Sequence, residues 1–373
     1  MNIEELLEKW VNRNSHFDNI AGIMHIQEEI ANEAQGLGML IDWHRAVYGK
    51  ASALCATLPS VQNGSPVEPK RTILLVTHAD TVFPKISPFQ QITWNEDRSR
   101  AIGPGVIDDK GGILVALHLC EKLSSLPDRE YEVKLLCMPS EECGSPGFAK
   151  WMEAQSQTAT MILGFEPSLP DGSIIHSRRG NRWYEFKMTG PGGHAGRDAG
   201  KVKNPASDLT NLMNEIVRIG KPDAGTSTTL GAFHTNTSGF NVIPNEATAK
   251  LDVRYETNAM RDAVHAEILA VISRLGHAVE WKLAEDCPAM SLNPESMPLA
   301  QALIREIEQI ENRKITVVAG SGSSDSNYLY QPGIPMIDGL GAVGTGLHSE
   351  TETLEVASIR TRALAIFNTL TKS

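Results

Sequence analysis

Residues 71–80 read Arg-Thr-Ile-Leu-Leu-Val-Thr-His-Ala-Asp. The unbroken apolar run Ile73–Val76 does not alternate, so it predicts a strand buried on both faces, as in a parallel sheet covered by helices. His78 and Asp80 stand at its carboxyl end, the edge where open α/β sheets carry their sites. The pattern recurs downstream. Residues 131–139 (YEVKLLCMP) predict a strand running into Glu141-Glu142, and 161–165 (MILGF) another that ends at Glu166. Between these strands, Ile113, Ala116, Leu117 and Cys120 fall at helical spacing after Lys110-Gly111-Gly112, and a second helix is expected over 147–154. Alternating strands and helices predict a layered α/β domain with a largely parallel sheet.

From about residue 180 the rhythm changes. Residues 182–189 (RWYEFKMT) alternate, a helix follows Pro205, and a strand is expected at 228–234. Residues 246–255 (EATAKLDVRY) alternate strictly, then a helix covers 260–275 and a strand 278–283. The order β-α-β-β-α-β is that of a ferredoxin-like α+β sandwich. After residue 290 the α/β rhythm returns, with helices at 297–311 and near 325–330, strands at 315–319 and 336–339, and a last helix carrying Ala363, Ile366, Phe367 and Leu370. The economical division is one α/β domain, 1–177 and 289–373, interrupted by a sandwich at 178–288. Residues 62–70 (QNGSPVEPK) read as a surface loop.

A length of 373 residues suits two domains. A net charge of -11 with no basic run argues against nucleic acid or an anionic membrane as partner. No apolar run approaches the ~20 residues that span a bilayer. Residues 1–10 (MNIEELLEKW) place Ile3, Leu6, Leu7 and Trp10 on one helical face and carry Glu where a signal peptide needs basic residues. The five cysteines are scattered and form no C-x-x-C pair, which points to a reducing compartment and away from a cysteine metal site. A cytoplasmic location is expected.

The chemistry gathers at strand ends. His78-Ala79-Asp80, Asp108-Asp109 at a helix start, Glu141-Glu142 and Glu166 occupy such positions, and His348 follows a glycine-rich stretch. Any one of them is usually a cap or a solvated corner, and Asp108 or Asp109 could cap the helix they precede. Two histidines with several carboxylates are harder to explain that way, because imidazole and carboxylate together suit zinc and a shared carboxylate suits two metals about 3.5–4 Å apart. The glycine loop before Asp108 lacks the spacing of a phosphate cradle.

These stretches resemble the motifs of the dinuclear-zinc metallopeptidase and deacylase family that holds glutamate carboxypeptidase, acetylornithine deacetylase, succinyl-diaminopimelate desuccinylase, aminoacylase and peptidase T. The stretches HADTVFP, GPGVIDDKGG, PSEECGS, GFEPS, GPGGHAG and GLHSETE occur in the family's order, in wording closest to the glutamate carboxypeptidase branch. The resemblance implies two Zn²⁺ per chain, with Co²⁺ or Mn²⁺ as substitutes. Asp108 would bridge, His78 and Glu166 complete one ion, and Glu142 and His348 the other. Asp80 would orient His78, and Glu141 would be the general base. Two zincs against three carboxylates leave about one positive charge for an anionic intermediate. No Ser or Cys nucleophile is required, and Cys143 is expected to be an inert small residue.

By the same resemblance the sandwich is a lid and dimerisation domain. His194 would reach into the site of a second copy, while Asn241 and Arg254 would handle the substrate carboxylate or the oxyanion. From the residues themselves, Ser321 and Gly322 in the stretch SGSSD could present backbone N–H groups to a substrate carboxylate, or could be a turn into the next helix. The substrate would be a small peptide or an N-acyl amino acid, the reaction carboxypeptidase-like hydrolysis, and the assembly a homodimer. An N-acyl amino acid deacylase is the nearest alternative. A relative that binds metal without catalysis is a remote one, opposed by Glu141 beside all five ligands. Glutamate-specific members carry a basic residue just after the lid, where this chain reads Ala284-Glu285-Asp286-Cys287-Pro288.

Overall fold

The computed structural model describes residues 1–45, 51–274 and 279–372 of the protein. In chain order, helices α1 (Ile3–Val11) and α2 (Ile20–Gly36) precede strands β1 (Leu40–His44), β2 (Ala53–Leu58) and β3 (Arg71–His78). Helix α3 (Lys110–Ser124), strand β4 (Tyr131–Met138), helix α4 (Ala149–Ser156) and strand β5 (Met161–Gly164) follow. Next come β6 (Gly180–Thr189), α5 (Pro205–Val217), β7 (Thr226–Thr235), β8 (Glu246–Tyr255), α6 (Asn258–Ser273) and β9 (Val279–Cys287). After them run α7 (Ser296–Glu311), α8 (Asp325–Leu329), β10 (Met336–Ile337) and α9 (Val356–Thr371). The chain divides into two compact units, one of residues 1–177, 292–320 and 324–373 and the other of 178–291 and 321–323.

The first unit is built on a six-stranded sheet in the order β1-β2-β4-β3-β5-β10. Strand β3 runs parallel to β4 and β5, and β5 parallel to β10. Only β1 and β2 are antiparallel to their neighbours, so the part of the sheet that carries the polar strand ends is parallel. Successive side chains of a strand face opposite ways, yet Ile73, Leu74, Leu75 and Val76 are all buried, which is why β3 reads as a continuous apolar run. Helix α3 packs against β3, α1 and α9, and α9 against α7. Helix α2 lies outside the sequence expectations. Its buried face of Ile23, Ile26, Ile30 and Ala34 is interrupted by Gln27, whose Nε2 donates to the Cys137 carbonyl at 2.9 Å.

The second unit holds four antiparallel strands in the order β7-β8-β6-β9, the order of a ferredoxin-like sandwich. Tyr184, Phe186 and Met188 of β6 and Ala247, Ala249, Leu251 and Val253 of β8 form one core with Leu209, Leu212 and Ile216 of α5 and Ile268 of α6. The opposite face carries ion pairs such as Lys187–Glu246 at 2.7 Å and Lys282–Glu185 at 2.9 Å. The expected alternation is therefore the register of a sheet with one covered face.

Several boundaries differ from the sequence reading. Helix α4 starts at Ala149 rather than Gly147, because Gly147 adopts φ 90° and cannot begin the helix. Helix α6 starts two residues before the expected 260, and expected positions Leu275 and Ala278 lie outside the described residues. Strand β9 continues past 283 to Cys287, because its acidic residues find partners in β6. Asn181 Nδ2 donates to Glu285 Oε1 at 2.7 Å, and Arg182 clasps Asp286 through Nε at 2.7 Å and a terminal nitrogen at 2.8 Å. The surface loop 62–70 includes a small exposed hairpin of Val61–Gln62 and Ser65–Pro66. No disulfide joins the five cysteines, and no helix among the described residues is long and apolar enough to cross a membrane.

Candidate metal centre

Five segments of the first unit converge on one cluster. Strand β3 delivers His78 at its last position, and the loop before α3 delivers Asp108. A 3-10 turn at Glu141–Cys143 just beyond β4 delivers Glu141 and Glu142, and Glu166 follows β5. The fifth contribution is His348, at φ 58° in the turn between Gly344–Thr345 and Thr353–Glu355.

Asp108 is the hub. Its Oδ1 lies 2.9 Å from His78 Nε2 and its Oδ2 3.2 Å from His348 Nε2. His348 Nε2 is also 3.3 Å from Glu142 Oε2, and His78 Nε2 is 3.7 Å from Glu166 Oε1. Two sets of donor atoms, His78-Asp108-Glu142 and His78-Glu141-Glu166, each lie within 4.8 Å of one another. Glu141 thus approaches as closely as the residues expected to be ligands.

Asp80 organises this cluster. Its carboxylate accepts the N–H of Glu141 at 3.1 Å and of Glu142 at 3.0 Å, which fixes the turn. His78 Nδ1 lies 3.1 Å from the Asp80 carbonyl and 3.3 Å from its Oδ1. Both are acceptors, so Nδ1 carries a proton and Nε2 is turned to the carboxylates. Asp109 stands at the N-cap position of α3 but makes no capping bond; its Oδ2 accepts the His78 N–H at 3.1 Å instead. Gly112 allows this arrangement, since a Cβ there would meet Asp109 Oδ1 at 1.9 Å and the Phe165 carbonyl at 2.2 Å.

The electrostatics follow from crowding charges in a dry place. Burial, reinforced by Glu166, pushes the Glu141 carboxyl well above the usual range, and burial with the field of Asp108 raises Glu142. Burial likewise drives Asp109 upward. Asp108 goes the other way: burial would raise it, but hydrogen bonds from His348 and His78 hold it below the carboxylate range. Hydrogen bonds to Asp108 and Glu142 raise His348 to about 10. For His78, burial is outweighed by Asp108 and Asp80, and its pKa rises. Glu142 Oε1 is buried without a hydrogen-bond partner. An unpaired buried oxygen among imidazoles and carboxylates is what a bound cation would satisfy, so the donor set fits divalent metal.

The remaining predicted residues lie in the second unit. His194 pairs in a short ladder with Val242, and its Nδ1 accepts the Gly196 N–H at 3.1 Å, which leaves the ring proton on Nε2. Asn241 is exposed and its carbonyl accepts the Ala195 N–H at 2.8 Å. Arg254 is engaged by Asp252, with Nε 2.9 Å from both carboxylate oxygens. Ser321 and Gly322 form an exposed turn whose Gly322 carbonyl accepts from Arg178 at 3.2 Å. Two residues that sequence reasoning passed over belong to the first cluster's surroundings: Lys110, buried beside Asp109, and Glu352, four positions after His348. The signal for each was a charge inside an already quoted motif.

The sequence profile of Peptidase family M20/M25/M40 matches residues 74–372. Carboxypeptidase G2 of Pseudomonas sp. (strain RS-16) is 28% identical over 301 residues, covering 78% of this chain and 71% of its own. Succinyl-diaminopimelate desuccinylase of Thioalkalivibrio sulfidiphilus is 25% identical over 287 residues, covering 73% and 74%. The solved structure of an M20 family metallo-carboxypeptidase from Sulfolobus solfataricus superposes with a TM-score of 0.82 at 17% identity, covering 99% of this chain and 98% of that one. The profile spans the parallel strands, the inserted sandwich and the segment that carries His348: the chain belongs to Peptidase family M20/M25/M40 and is a metal-dependent hydrolase of amide bonds.

Proposed function

We propose that the protein is a dinuclear zinc hydrolase that removes a residue or acyl group from small peptides or N-acyl amino acids, with carboxypeptidase-like action as the leading reading. One observation carries it: the two oxygens of Asp108 face two different histidines, as a carboxylate bridging two ions must. Asp108 would be shared, His78 and Glu166 would complete one ion, and Glu142 and His348 the other. Co²⁺ or Mn²⁺ would substitute. Such ions polarise the scissile carbonyl and make water a nucleophile near neutral pH.

The chain's own residues do the rest. Glu141 takes the proton of the attacking water as the C–O bond forms, then passes it to the leaving nitrogen as the C–N bond breaks. Asp80 holds His78 in the tautomer that aims Nε2 at the centre. His194, with its proton on Nε2, is suited to donate to the oxyanion of a neighbouring copy's substrate. The lid, residues 178–288, would also supply Asn241 and Arg254 to the substrate, Arg254 after exchanging Asp252 for a substrate carboxylate, and Ser321 and Gly322 would add backbone N–H groups from outside that range. Strands β7 and β9 end the lid sheet on either side, and one such edge would pair with a second copy in a homodimer. We place the enzyme in the cytoplasm. The paired acidic residues Glu285 and Asp286 argue against a preference for acidic groups at that end of the lid.

The deciding experiment is a screen of purified, zinc-loaded enzyme against dipeptides, folyl-glutamates and N-acetyl or N-succinyl amino acids. Release of a C-terminal residue from peptides supports the carboxypeptidase reading; turnover confined to N-acyl amino acids replaces it with the deacylase reading.

A further inference from the structure

Glu352 is fully buried, and the mechanism above gives it no task. Its carboxylate is nevertheless densely used. Oε1 accepts the N–H of Ile107 at 2.9 Å and of Asp108 at 3.2 Å, and Oε2 accepts the N–H of Gly105 at 3.3 Å. Its carbonyl accepts the Gly103 N–H at 3.2 Å, so one residue receives four amides from the six-residue stretch 103–108. Gly105 turns that stretch inward with φ 67°, and a Cβ there would meet Thr81 at 2.4 Å. On its own side, Glu352 closes the turn that presents His348, its N–H donating to the Ser349 carbonyl at 3.1 Å. Buried Lys110 holds the far side of the loop, with Nζ 3.1 Å from the Pro104 carbonyl and 3.5 Å from that of Arg13.

We infer that Glu352 is a positioning residue for the metal centre: it locks the main chain of Asp108 to the turn of His348 and so sets the distance between these two groups before any ion binds. The inference rests on the reading of Asp108 and His348 as metal ligands. Its physical content is specific. Asp108 must offer one oxygen to each histidine, and the backbone from which it does so is fixed by its own N–H bond to Glu352. Three amide donors from one short stretch converge on the two oxygens of a single buried side chain, which makes a rigid cradle. Partners that orient a ligand from outside typically change metal affinity 10–100-fold. Glu352→Gln keeps the side chain's size and can present its one oxygen to Ile107 and Asp108, but it then sets an N–H₂ against the Gly105 N–H, so the cradle opens on that side.

The test uses the full chain stripped by a chelator and titrated with Co²⁺, followed by its visible absorption. Glu352→Gln with a wild-type circular dichroism spectrum should bind Co²⁺ about 10–100-fold more weakly than wild type. Native affinity at both sites in that variant overturns the inference. Asp108→Ala is titrated in parallel: if it still binds two ions as wild type does, the reading of the centre fails, whereas loss there with native binding in Glu352→Gln sinks only the role of Glu352. Should Glu352→Gln not fold, hydrogen exchange on the stripped wild-type protein decides. Amides of residues 103–108 protected without metal support the inference. Rapid exchange that slows only when Co²⁺ is added means that metal, and not Glu352, orders the loop.

Discussion

The N–H of Glu141 donates to Oδ1 of Asp80 at 3.1 Å, and the same oxygen lies 3.3 Å from His78 Nδ1. One buried carboxylate therefore orients the proposed base and a proposed ligand together. Displacing either drags the other, which ties proton transfer to metal geometry.

Glu141→Gln should keep metal content and fold while kcat falls at least ~10²-fold, the usual size of a lost general base. Turnover near the wild-type value in a metal-replete variant would remove Glu141 from this role.

Asp108→Ala deletes a carboxylate whose two oxygens each face a different histidine. Elemental analysis should find fewer than two zincs per chain and assays no activity, while His78→Ala should deplete one ion selectively. Two tightly held zincs in Asp108→Ala would contradict a bridged pair.

Gly112→Ala tests whether the start of α3 is as tight as its geometry says. The added methyl falls 1.9 Å from Asp109 Oδ1 and 2.2 Å from the Phe165 carbonyl. Overpacking of this kind costs about 1–3 kcal/mol, so the denaturation midpoint should drop measurably and metal affinity with it. An unchanged midpoint would show that the helix start yields.

The dimer is tested by complementation. Glu141→Gln and His194→Ala, each inactive alone, should regain activity when mixed under conditions that exchange subunits, because one hybrid site has both residues intact. Mixed dimers that form and stay inactive would exclude action across the interface, and an active monomer would remove the dimer from the mechanism.

How much of this was legible in sequence depended on what each signal encodes. Strand β3 and His78 were plain, because a both-sides-buried strand leaves an unbroken apolar run that stops at the first polar residue. The β6–β9 sandwich was plain because one covered face imposes strict alternation. Helix α2 was not, since Gln27 is polar in composition but satisfied in the core. Asp109 read as either a cap or a hydrogen-bonding neighbour from its place before α3, and the fold decides for the second because the His78 amide reaches it. The role of Glu352 was invisible because its partners are backbone amides of residues 105–108, which no side-chain pattern records.

The division of the chain also bears on its synthesis. Strand β10 and helices α7 and α9 complete the first unit, yet they emerge from the ribosome after nearly all of the second unit. The inserted sandwich can therefore mature while the parallel sheet still lacks an edge, and domains do tend to fold as units in order of emergence. His348 arrives later still, so a nascent chain holds His78, Asp108, Glu142 and Glu166 long before it holds the whole cluster. Hydrolytic competence is thus withheld until the segment that carries His348 has been made.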